Sequence, residues 1–146
     1  MSIWMVLLLA MTPLGELRVS IPFGIGLHQM HWLLVFFLSV IGNMIPPLLI
    51  IGLFDRVPFL RNWKIFTHHP QKKQQWIQKY GWIGLVILVA IPLPGTGAWT
   101  GSLLAWILRL PKIPSLMMVF LGVCIAGALV TMASLGFIHL TSVPSP

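Results

Sequence analysis

Residues 116–138, "LMMVFLGVCIAGALVTMASLGFI", run for 23 positions without a charge or a proline. As a helix such a run is about 34 Å long, enough to cross the roughly 30 Å hydrocarbon core of a bilayer. Residues 32–54, "WLLVFFLSVIGNMIPPLLIIGLF", form a second run of 23, in which Pro46 and Pro47 predict a kink. Only 8% of the 146 residues are charged and the mean hydropathy is +0.95. These features exclude a large soluble domain and predict one all-α integral membrane domain spanning 1–146.

Two other apolar stretches stop short. Residues 3–11 are followed by "TPLGELRVSIPFGIG", and residues 82–91 run into "IPLPGTGAWTG" before apolar character resumes at 98–108. Proline removes a backbone donor and glycine weakens a helix, so each segment predicts a helix that breaks. Arms of nine or ten residues reach about 14–16 Å, half of the hydrocarbon core. A helix that goes halfway, breaks and returns is a re-entrant hairpin, with its irregular backbone covered by protein or a water-filled cavity.

"VSIPFGIG" at 19–26 and "VAIPLPGTG" at 89–97 share V-[SA]-I-P and then glycine, and each break precedes a long span. The expected order is therefore repeat 1 (1–54), a basic linker (55–80) and repeat 2 (81–140). A hairpin returns to its own side and a span crosses, so the second repeat enters from the opposite side and the repeats are inverted. The linker carries Arg56, Arg61, Lys64, Lys72, Lys73 and Lys79, which places it in the cytoplasm. Arg109 and Lys112 fall on the same side in this topology. The rival, four plain spans, puts those two outside and forces Glu16 and Arg18 into lipid, at about 2.5–3.5 kcal/mol for a central charge.

Within the linker, "FLRNWKIF" sets Phe59, Leu60, Trp63 and Phe66 on one helical face, an interfacial amphipathic helix. A net charge of +7 would suggest nucleic acid in a soluble chain. Here the basic residues are gathered in one segment, and orientation in the bilayer explains them, so the expected partners are membrane lipids and no nucleic acid. Adjacent His68 and His69 cannot share a helix face and have no acid or cysteine nearby, and Cys124 is the single cysteine, so no metal site or cofactor is expected. The opening "MSIWMVLLLAM" lacks a basic start and a clean cleavage signal, and is expected to belong to the fold.

Chemistry concentrates in the two breaks. Glu16 and Arg18 are the only charges among residues 1–54, and ionisable groups within a membrane are functional candidates. A buried carboxyl can take up a proton and a guanidinium can hold an anion or a lipid phosphate. The structural alternative is an internal ion pair. Pro22, Gly24, Pro92, Pro94, Gly95, Thr96 and Gly97 complete the candidate site, as breaks that leave backbone groups unpaired where transporters bind substrate. Thr100 adds a hydroxyl, and Asn43 is expected to hydrogen-bond across helices. Gly122, Ala126, Gly127, Ala133 and Ser134 suit close helix approach. With two acids in the whole chain there is no carboxylate pair with a base, and no P-loop or nucleophile elbow, so an enzyme is not expected.

"GELRVSIPFGIG" with "IPLPGTGAWTGSLLA" resembles the small multidrug export protein family over residues 11–136. That family is similar in its paired re-entrant architecture to the wider DedA (VTT) superfamily, some members of which move phospholipids or polyprenyl-phosphate carriers. The resemblance implies a bacterial or archaeal inner-membrane protein. Glu16 and Arg18 match its first motif; Pro92, Pro94, Gly95, Thr96 and Gly97 match its second. The DedA pattern has an arginine after the second Pro-Gly, where this chain has Thr96, and Arg18 is the one comparable cation. Three functions remain open: an ion-coupled exporter of small molecules, a lipid or lipid-carrier translocase, and a membrane scaffold that transports nothing. Two spans and two half-hairpins make a thin wall for a path, which points weakly to a homo-oligomer.

Overall fold

A computed structural model describes residues 2–13, 15–53, 71–91 and 97–141. Among them every regular element is helical. In chain order these are α1 (Ser2–Met11), α2 (Glu16–Pro22) continuing as a π-helical turn (Phe23–Leu27), α3 (Trp32–Leu53), α4 (Gln71–Ala90), α5 (Ala98–Ile107) and α6 (Lys112–Thr141). The expected amphipathic segment at 59–66 and the His68–His69 pair lie outside the described residues.

Among the described residues, the two long apolar runs are the two helices long and apolar enough to cross a membrane, α3 and α6. The α3 helix continues through Pro46 and Pro47, both buried. Its outer face exposes Phe37, Ile41, Leu48 and Leu49, and that of α6 exposes Met117, Phe120, Leu121 and Met132. Apolar surface this continuous requires an apolar surrounding.

The short runs pack as helical hairpins, α1 against α2 and α4 against α5. Each hairpin lies on the long helix that follows it, α1 on α3 and α4 on α6, and also reaches across, α2 to α6 and α5 to α3. Glycines set the close contacts. A Cβ at Gly42 would stand 2.8 Å from the Leu7 carbonyl oxygen and 2.9 Å from Ala10 Cβ. A Cβ at Gly122 would stand 2.7 Å from Val89 Cβ and 3.0 Å from the Val86 carbonyl oxygen. Gly127 packs under the Phe36 ring, so the small residues expected to admit neighbouring helices do so at both positions.

Burial repeats along the two long helices at a spacing of 80 residues. Val35, Ser39, Gly42, Asn43, Pro46 and Pro47 are buried, and so are Ser115, Val119, Gly122, Val123, Ala126 and Gly127. Val6, Leu17, Ile21, Val35, Leu85, Val89, Ala98, Val119 and Val123 join in one core that draws on α1 to α6.

Two expectations are revised. The α4 helix begins at Gln71, so the expected boundary at 80/81 falls inside a helix whose first half is polar and whose second half is apolar. The expected break at 12–26 is shorter than its sequence suggests, since residues 16–27 are helical. Pro22 ends α2 and the chain widens into the π turn: His28 N–H donates to the Phe23 carbonyl at 3.3 Å and Met30 N–H to that of Gly24 at 3.1 Å. Widening absorbs the donor that proline lacks without stopping the helix. The turn between α1 and α2 lies at the start of that stretch, at Thr12, Pro13 and Gly15.

Candidate functional site

That turn is built by local hydrogen bonds. Thr12 Oγ1 donates to the Leu9 carbonyl at 2.8 Å and accepts from Gly15 N–H at 3.0 Å, while Glu16 N–H donates to the Thr12 carbonyl at 3.1 Å. Gly15 is needed for space, since a Cβ there would run into the Leu9 carbonyl oxygen and Thr12 Oγ1. The chain then enters α2 at Glu16 with φ +43°, a left-handed conformation that costs a side-chain-bearing residue energy. The Glu16 side chain is 6% exposed.

What Glu16 meets is the other hairpin. Its carboxylate oxygens fill the space where a Cβ of Gly97 would project, and it accepts a hydrogen bond from the backbone N–H of Trp99. Gly97 has φ +154° and ψ −164°, a region open essentially to glycine, and it is the N-cap of α5. Having no side chain, Gly97 provides no side-chain cap for the first N–H groups of α5. Glu16 supplies that cap from α2, with its negative charge at the positive end of the helix dipole.

Arg18 does the converse. Its guanidinium interacts electrostatically with Glu16 and reaches, at a long 3.5 Å, to the carbonyl of Ile91, just past the last residue of α4. A cation therefore stands at the negative end of that helix. The second hairpin returns the contact: Trp99 Nε1 donates to the Met11 carbonyl, the last of α1, at 3.1 Å. Each hairpin thus ties off helix ends of the other, and these partners lie 73 and 88 residues apart in sequence.

A polar line leads away from Glu16. One turn along α2, Ser20 Oγ donates to Ser39 Oγ at 2.8 Å, both fully buried. One turn along α3 from Ser39 is Asn43, 1% exposed, whose Oδ1 accepts no hydrogen bond among the described residues. On the other side of α2, half-buried Arg18 borders an open groove of about 500 Å³ with Pro22, Leu129, Val130, Ser134 and Phe137.

Of the expected site residues, the structure brings Glu16, Arg18 and Gly97 together. Pro22 lies on the groove with Arg18, and Gly24 is packed away from Glu16, where a Cβ would meet Val35 and Val6. Pro92, Pro94, Gly95 and Thr96 lie outside the described residues. Thr100 is exposed on α5. Ser20, Ser39 and Trp99 were not among the expected site residues. Lone hydroxyls in apolar runs, at Ser20 and Ser39, were the available signal. Cys124 is half-buried, and the described residues hold no group of three metal-ligating side chains.

Residues 16–129 match a family described as "Putative small multi-drug export protein". The match covers most of the chain and begins at Glu16, taking in Arg18, Gly97 and Trp99. The chain belongs to this family. Comparison with curated proteins and with solved structures gives no significant match. The small multi-drug export family is named for transport and not for a catalysed reaction, and the two long apolar helices fit a membrane protein.

Proposed function

We propose that this member of the family is a proton-coupled secondary exporter of the inner membrane, with its site where the two hairpins meet. The observation that carries this reading is the Glu16 carboxylate, buried and placed between the hairpins against Gly97 and the start of α5. A titratable group at such a junction lets one proton change how the two halves of the molecule hold each other. The hairpins are re-entrant and the repeats inverted in this reading. The matched packing of α1 on α3 and α4 on α6, and burial that recurs 80 residues on, support it. The segment 55–80 faces the cytoplasm, and a homo-oligomer would thicken the wall around the path.

The test is transport in proteoliposomes with an imposed pH gradient, using ethidium as the probe and an entrapped pH dye to follow protons. Glu16→Gln keeps the shape of the side chain and removes its charge. Flux coupled to protons falls to the level of protein-free liposomes, while membrane insertion and elution on size exclusion stay unchanged. Undiminished coupled flux in this variant would sink the role of Glu16. The Arg18 groove favours a second reading, translocation of an anionic lipid with its headgroup at the guanidinium. Movement of a fluorescent phospholipid in the same vesicles that requires Arg18, with no ethidium flux, would put that reading in place of the first.

A further inference from the structure

The exporter reading leaves open what a proton on Glu16 would do, and a second buried group answers it. Asn43 Oδ1 is an acceptor enclosed in the core with no donor among the described residues. Its position follows from the Ser20–Ser39 hydrogen bond, which fixes the register of α2 against α3. The two helices are joined through residues 28–31 and run antiparallel. From that bond, Glu16 is four residues back along α2 and Asn43 four residues on along α3, each about 6 Å away in the same direction. Four residues is close to a full helical turn, so both stay on the faces that the serines share. Gly42, level with Leu7 and Ala10 at the end of α1, puts the neighbouring Asn43 at the depth of the 12–15 turn, where Glu16 begins.

We infer that Asn43 is the docking partner of the protonated Glu16 carboxyl, so that proton binding moves this side chain from α5 to α3. The ionised carboxylate is an acceptor only, and it takes the Trp99 N–H and the favourable end of the α5 dipole. When the carboxylate binds a proton from water it becomes a neutral carboxyl with one O–H donor. The charge that held it at α5 is gone, and the buried acceptor level with it is Asn43 Oδ1. An unmet buried acceptor is costly, and the new hydrogen bond removes that cost. The cap on α5 is released in the same step, which loosens the second hairpin from the first. Asn43 is a positioning residue in this scheme.

The groups around Glu16 leave few competitors. Arg18 is the charged residue on its own helix; α1, α3, α5 and the π turn carry no titratable side chain. On α6 these are Lys112 and His139 near the ends and Cys124, and on α4 Lys72, Lys73, Lys79 and Tyr80 in its first half.

The inference rests on the exporter reading for its meaning but is tested separately, by pH-difference infrared spectroscopy of the full chain in lipid. Glu16 and Asp55 are the only acidic side chains, so the protonated-carboxyl band lost in Glu16→Gln is that of Glu16. In Asn43→Leu, similar in branching but larger, that band moves to higher frequency, because the carboxyl has lost its hydrogen-bond acceptor. Asn43→Ala gives the same shift and serves if the leucine variant does not fold. In the wild type, lowering the pH also lowers the protection of the Trp99 amide against deuterium exchange, taken relative to its intrinsic rate at each pH. A Glu16 band at the same frequency in the wild type and both variants overturns the inference, as does the absence of a titrating Glu16 band. Transport that persists in Glu16→Gln would instead overturn the exporter reading and leave these bands untouched.

Discussion

Replacing Gly97 with alanine tests the hairpin junction most directly. The new Cβ would collide with both carboxylate oxygens of Glu16, and the backbone would hold a non-glycine residue at φ +154°. A conformation of that kind costs about 1–3 kcal/mol. Displacing the carboxylate from the start of α5 removes a helix cap, typically worth ~0.5–2 kcal/mol. Together Gly97→Ala loses about 1.5–5 kcal/mol of unfolding free energy, measured by denaturant titration in detergent micelles. The steric share depends on Glu16 and the backbone share does not. In a Glu16→Ala background the carboxylate is absent, so Gly97→Ala there costs only the backbone share, about 1–3 kcal/mol. The cycle of four proteins therefore shows a coupling of about 0.5–2 kcal/mol between residues 16 and 97. Equal costs in the two backgrounds would refute the contact between the carboxylate and the second hairpin.

Two further pairs probe the packing that positions this junction. Gly122→Ala drives a Cβ to 2.7 Å from Val89 Cβ and 3.0 Å from the Val86 carbonyl, and overpacking of this kind lowers stability by about 1–3 kcal/mol. Gly84→Ala, on the α4 helix against which Gly122 packs and with nothing within 4 Å, raises stability by up to about 1 kcal/mol through helix propensity, and the two should differ in sign in one denaturation series. Ser20→Ala and Ser39→Ala each leave a buried hydroxyl without its partner, at about 1–3 kcal/mol. The double variant costs less than the sum of the two, whereas strict additivity would show that the serines do not share the bond.

Local signals made much of this protein legible. Unbroken apolar runs of 23 residues marked α3 and α6, because a span is a matter of length and composition. The two interrupted runs became the two hairpins, and a lone Glu16 and Arg18 stood out against 54 residues with no other charge. Local reading drew the first break too long. Pro22 looks like a helix breaker in sequence, but the widened turn after it lets the helix continue. It also placed a boundary at 80/81, where a change from polar to apolar composition occurs in the middle of one helix.

The sequence by itself determined an apolar, helical chain with two long and two interrupted segments and a single pair of charges near its start. Only the tertiary structure decided what those charges do. Glu16 caps α5 and meets Gly97, Arg18 reaches past the end of α4, and Asn43 Oδ1 is buried with no donor among the described residues. Helical periodicity encodes neighbours three or four residues apart, whereas these contacts join segments some 73 to 88 residues apart. Their register is set by where Gly42, Gly122 and the Ser20–Ser39 bond let the helices come together.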